Sequence, residues 1–160
     1  MKHYKKFNAF IPWIAFWSQF SNQVTDLQKV DILLSPPNQK ACESGIEFSA
    51  TVTSSQNSRE KGLSNREKPL ASSEAMLFIF DEPQRTTFWM KDTLIPLTLI
   101  YFDEIGLASE VFEMPVELEP KHPKSRYHSH SKVKIALEIS SKFKNLVGYQ
   151  LCLTNKIKNK

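Results

Sequence analysis

From Gly45 onward the chain alternates between apolar and polar positions. Ile46, Phe48, Ala50 and Val52 interleave with Glu47, Ser49, Thr51 and Thr53, a period of two that predicts a strand with one buried face. The polar stretch 54–66 offers Ser55, Asn57 and Ser58 as N-caps, and a short helix is expected there, ending near Gly62 to Asn65. Ala75 to Phe80 is continuously apolar, as a strand buried on both faces would be. The Asp81-Glu82-Pro83 turn then suggests a hairpin returning through Thr86 to Lys91. Leu97 to Asp103 and Leu107 to Met114 flank Asp103-Glu104-Ile105-Gly106, a turn closed by glycine and so a second hairpin. A proline-rich loop runs to Ser131, followed by alternation at Val133, Ile135, Leu137 and Ile139. Ser140 or Ser141 caps an expected second helical turn through Leu146, ended by Gly148, and Tyr149 to Thr154 forms the last strand. The fold class expected is α+β, mostly β: one compact, barrel-like sheet domain of about seven strands with two short helices.

The flanks read differently. Residues 1–20 pair a basic start (Lys2, His3, Lys5, Lys6) with the uncharged apolar run Phe7 to Phe20. That run is too short to span a bilayer as a helix and is patterned like a secretory signal. Export to a periplasmic or external space is therefore expected, with membrane contact only through this segment if it is retained. Residues 21–44, with Pro36-Pro37 and many polar side chains, are expected to be a linker, 45–155 the domain and 156–160 a basic tail. The net charge of +4 comes from the ends: three lysines lie in the first six residues and three in the last five, leaving a small negative excess between them. Such a body is a poor match for a phosphate backbone, and nucleic-acid binding is not expected. Cys42 and Cys152 are a candidate disulfide closing most of the chain in an oxidising compartment; two unpaired thiols are the alternative.

Motifs then identify a lineage. The run Phe88-Trp89-Met90-Lys91-Asp92-Thr93-Leu94-Ile95-Pro96-Leu97 resembles the FWMKNT-x-IPLD signature of domain-of-unknown-function family 192. Arg59-x-x-Gly62-Leu63-x-x-Arg66, the run Ala75 to Phe80, Leu137-Glu138 and Val147-Gly148 resemble further family elements in the same order. The resemblance covers residues 46 to about 154. It departs at Asp92 (usually Asn), Thr98 (usually Asp), Ser64 (usually Met), Ala75 (usually Gly) and Tyr149 (usually Asp), and the cysteines common in the family's proline-rich loop are missing. It implies a compact β-rich fold, often behind a signal peptide, and no established mechanism.

The candidate chemistry is sparse. Strand alternation puts Trp89 and Lys91 on one face, with Phe88 and Met90 on the other facing the core. An indole beside an ammonium suits an aromatic or anionic ligand. Arg59, Asp92 and Glu138 complete a candidate contact site, with an Arg59–Glu138 or Lys91–Glu138 ion pair conceivable. A packed Trp among structural ion pairs is the alternative. His122, His128 and His130 follow no standard zinc spacing and read as a solvated loop, so neither a metal nor a cofactor is expected. Nucleophile, metalloprotease and phosphate-loop motifs are absent. The function expected is an exported binding or accessory module for an unidentified small ligand or protein. The alternative is an enzyme using Lys91, Asp92 or Glu138 as an acid–base group.

Overall fold

The computed structural model describes residues 24–153; the signal-like segment and the basic tail lie outside them. Among the described residues, nine strands and one helix follow in order: β1 (Lys29–Ser35), β2 (Ile46–Thr53), α1 (Gln56–Lys61), β3 (Glu74–Gln84), β4 (Thr87–Phe88), β5 (Leu97–Phe102), β6 (Ala108–Met114), β7 (Tyr127–His128), β8 (Val133–Ser140) and β9 (Gln150–Leu153). Seven form one sheet in the order β6-β5-β8-β3-β2-β1-β9, and β4 pairs with β7 in a separate ribbon. Every neighbouring pair of the large sheet is antiparallel except β2–β3, whose parallel pairing needs the crossover carried by α1. The sheet curls until its edges meet at one end, where Leu107 bridges Gln150 and Leu151 N–H donates to the Gly106 carbonyl at 2.9 Å. The result is a half-barrel dominated by sheet, as the pattern predicts.

Curling gives the sheet two buried faces. Ile32, Phe48, Val52, Leu77, Ile100 and Leu137 fill the concave side. Phe78, Phe80, Leu97, Leu99, Tyr101 and Ala136 point the other way, into a second apolar cluster. Successive residues of β3 and β5 thus serve different cores, which is why these strands lose the clean alternation of β2. The second cluster is covered by the chain after α1, by the 86–96 segment and by the proline-rich loop, which send in Leu63, Met90, Ile95 and Tyr127.

Three expectations need correcting. The segment 21–44 is not simply a linker. Lys29–Ser35 forms β1, paired between β2 and β9, because Val30, Ile32 and Leu34 fill the concave core. Ahead of it, Asp26 accepts from the Ser54 and Ser55 amides and from the Ser55 and Ser58 hydroxyls, joining this stretch to the start of α1. Secondly, the expected helix after Ser140 is a run of turns. The Phe143 carbonyl that a helix would use instead accepts from Thr98 Oγ1 at 2.9 Å, and Asn145 has a positive φ of 56°. That contact also accounts for Thr at position 98. Thirdly, the segment beginning at Thr86 does not return along β3: β3 pairs with β2 and β8, and β4 with β7. Elsewhere Ser55 caps α1, accepting from Ser58 N–H, and Gly62 closes it at φ 46°, a region costly for any residue with a Cβ. Cys42 and Cys152 form a disulfide that ties β9 to the loop after β1.

Candidate functional site

A cavity of about 220 Å³ opens over the second core, between α1 with the loop after it, strands β3 and β8, and the 86–93 segment. Arg59, Trp89, Lys91 and Glu138 all line it, so four of the five residues singled out from the sequence converge. Its walls are aromatic. Phe78 packs edge-to-face on Phe88 with ring centroids 4.8 Å apart, and Phe88 does the same on Tyr101 at 5.8 Å. Such pairs hold the rings at fixed angles and keep the wall rigid.

Glu138 is the residue that sets this site apart. It projects from β8 into the second cluster, is only 5% exposed, and has no hydrogen-bond or ion-pair partner among the described residues. The pair with Arg59 or Lys91 that strand alternation left open does not form. Arg59 instead turns its Nη1 to the Ile79 carbonyl (3.0 Å) and the Ser54 carbonyl, with its guanidinium 5.4 Å from the Phe80 ring centroid. Burial alone pushes the Glu138 carboxyl up to about 8, so it is mainly an uncharged acid at neutral pH. An unpartnered buried carboxyl costs about 1–3 kcal/mol, and natural cores seldom keep one without use.

At the mouth, Trp89 is 49% exposed. The alternation predicted from the sequence holds although β4 is only two residues long: Met90 is fully buried, Phe88 packs on the second core, and Trp89 and Lys91 face outward. The Lys91 Nζ lies 5.7 Å from the indole centroid. A second cation, not foreseen, comes from the proline-rich loop: the Arg126 Cζ sits 5.0 Å from the same ring. Arg126 is held by its own loop, with Nη1 donating to the Pro123 carbonyl at 2.7 Å and the Ser125 carbonyl at 2.9 Å. The loop is braced in turn by Glu117, which accepts from Ser125 N–H at 2.9 Å. Hydrogen bonds from the Ser125 side chain and backbone keep the Glu117 carboxyl below the usual range. Nothing in the sequence marked Arg126 apart from the basic residues around it; only the folded loop brings it to Trp89.

Asp92 does not line the cavity. It takes a positive φ of 52°, which Asn and Asp tolerate better than most residues. Its N–H donates to the Pro120 carbonyl (2.8 Å) and its carbonyl accepts from Asn65 N–H (2.7 Å), so it joins the loop after α1 to the proline-rich loop. Asp in place of the family's Asn is compatible with that backbone role. The histidines are exposed and separately engaged: His128 Nδ1 contacts Thr87 Oγ1 at 2.8 Å, and His130 contacts the Glu110 carboxylate. Among the described residues no three His, Cys, Asp or Glu side chains are grouped to hold a metal ion.

A curled β-domain with a small aromatic cavity on its outer core is the class these features define. The chain belongs to the family DUF192, described as "Uncharacterized ACR", whose model matches residues 39–149. Two solved structures share the fold. One is a proposed transcription regulator of Sinorhizobium meliloti, 22% identical, with TM-score 0.68, covering 81% of this chain and 97% of that one. The other is a protein of unknown function from Novosphingobium aromaticivorans, 21% identical, with TM-score 0.62, covering 81% of this chain and 88% of that one. No curated protein matches the chain.

Proposed function

We propose that this protein is an exported binding module whose site is the cavity between Arg59, Trp89, Lys91 and Glu138. The observation that carries this reading is the unpartnered, buried Glu138 carboxyl lining an open, aromatic cavity. A structural carboxyl would have a partner; a binding carboxyl keeps its donor and acceptors for a ligand. Export is supported by the basic and apolar pattern of residues 1–20 and by the Cys42–Cys152 disulfide, a bond rare in reducing compartments. A thermal-shift screen of small molecules tests the binding reading. Compounds that stabilise the parent should lose that effect in Trp89→Ala and Glu138→Leu; stabilisation unchanged in both variants removes the cavity as the site. Intact-mass measurement of the exported fraction tests both cleavage and the disulfide.

A second reading is favoured by one observation. An acid poised near 8 is suited to proton transfer at neutral pH, which would make Glu138 a general acid–base group. Lys91 and Glu60 share the cavity but neither is hydrogen-bonded or ion-paired to Glu138, and Asp92 lies outside it, so among the described residues no second acid–base group is coupled to Glu138. Binding is the better supported of the two.

A further inference from the structure

The polarity of the cavity is layered. Arg59, Lys61 and Lys91 line it, against Glu60 as the only carboxyl besides Glu138. Arg126, outside the lining, adds a further cation 5.0 Å from the Trp89 ring centroid. The positive groups therefore gather around the mouth, where Lys61, Lys91, Trp89 and Arg126 are exposed. Phe78, Phe80 and Phe88 form the apolar middle, and Glu138 is the polar group set into it. Burial raises the Glu138 carboxyl, and no hydrogen bond or ion pair joins it to a cation among the described residues.

This arrangement selects among ligands. A cation entering here would pass three positive side chains and then need Glu138 ionised in an apolar wall, where a charge is expensive. An anion at the mouth meets two cations already placed within about 6 Å of one indole centroid. A purely apolar molecule would leave the carboxyl of Glu138 without a partner. Resting on the binding reading above, we propose that the ligand is a small organic acid with a single ring or similar apolar body. Its anionic group lies at the Trp89, Lys91 and Arg126 rim, and its far end offers a hydroxyl or carbonyl to Glu138. The size agrees: cavities of about 150 Å³ hold a benzene ring, and this one is about 220 Å³. A neutral carboxylic acid both donates and accepts, so a phenol, alcohol or ketone can satisfy it. Arg126 is then a specificity residue that reads the charge of the ligand without lining its apolar chamber.

The test uses three probes of one shape: 4-hydroxyphenylacetate, its amide, and tyramine. They are titrated against the full chain by calorimetry, beside a fragment set of mixed charge screened by ligand-observed NMR. The expected order of affinity is acid, amide, amine. Arg126→Gln and Lys91→Gln should each narrow the acid-to-amide ratio by up to about fivefold, the upper end for exposed charge contacts, while leaving the amide unaffected. Glu138→Leu should weaken the acid and the amide about tenfold, and Glu138→Gln, which keeps a donor and an acceptor, should weaken them much less. Melting curves of each variant separate these effects from loss of fold. Fragments that bind in the cavity without preference for acids, or with preference for amines, overturn the inference and leave the binding reading standing. If neither probes nor fragments bind there at millimolar concentration, both fall.

Discussion

The guanidinium of Arg126 lies over the indole of Trp89, with its Cζ 5.0 Å from the ring centroid, and Lys91 approaches the same ring at 5.7 Å. Two cations on one half-exposed indole create a local positive field, and that field can be measured. In a chain whose other two tryptophans, Trp13 and Trp17, are replaced by Phe, the iodide-to-caesium quenching ratio of Trp89 should exceed that of free N-acetyltryptophanamide. Arg126→Gln and Lys91→Gln should each lower this ratio, and the double variant should bring it near the value of the free compound. A ratio unmoved by either change would mean that the contacts do not persist in solution.

Asp26 ties the chain ahead of β1 to the start of α1. Desolvation pushes its carboxyl up, but hydrogen bonds from Ser58, Ser54 and Ser55 outweigh it and hold the group well below the usual range. Its folded value lies under its unfolded value of about 3.8. The resulting stability is therefore present above pH 4 and lost as acid protonates the folded carboxyl. Asp26→Ala should cost roughly 1.5–3 kcal/mol at pH 7, the range for hydrogen bonds to a charged group. Denaturant unfolding should show the gap between parent and variant closing below pH 3. Because α1 carries Arg59, the variant should also bind cavity ligands more weakly.

The disulfide closes a separation of 110 residues and pins an edge strand. Loop entropy assigns such a link about 4 to 5 kcal/mol. Cys42→Ser with Cys152→Ser should lower the urea midpoint sharply, and amide exchange should show β9 opening before the central strands. A double variant as stable as the parent would show that β9 is held by its pairing with β1 and its contacts with Gly106 and Leu107 without help from the disulfide.

Glu138 has the opposite sign to Asp26. Its folded value is raised from 4.5 to about 8, so the folded chain holds a proton that the unfolded chain releases. Stability is then unpenalised below pH 4.5 and declines as pH rises from there toward 8, where the loss levels off. Glu138→Gln removes the titration. It should raise the melting temperature relative to the parent at pH 8 by several degrees, with the gap shrinking to little at pH 4.5. An equal gap at both pH values would show that Glu138 does not titrate abnormally.

Much of this architecture can be read in the sequence, and the failures have physical causes. Alternation at Ile46–Val52 and Val133–Ile139 marks β2 and β8, because one face of each carries a regular apolar row. The Asp103–Gly106 turn is also legible: Gly106 N–H donates to the Asp103 carbonyl at 3.0 Å, and Gly106 has a φ of 77°. Strand β1 was hidden because its apolar cluster is short and sits between polar residues and a Pro-Pro pair. The partner of β4 was hidden because pattern reports which face is buried, never which strand lies alongside; Thr87 meets His128 across most of the β3–β8 half of the chain. Within the site, Trp89 and Lys91 follow from local alternation. Glu138 could be named but its isolation could not, since that depends on where Arg59 sends its guanidinium. Arg126 reaches Trp89 only through the loop braced by Glu117 and Ser125.

An uncharged acid set in an aromatic cavity beneath a cationic rim is the feature on which the binding account depends. Carbon-13 NMR of glutamate side-chain carboxyls, followed against pH and assigned with Glu138→Gln, measures it directly. The expected result is one carboxyl titrating near pH 8, far above the other glutamates, and moving further upward when 4-hydroxyphenylacetate occupies the cavity. A Glu138 signal titrating near pH 4.5, like an exposed side chain, would contradict the account.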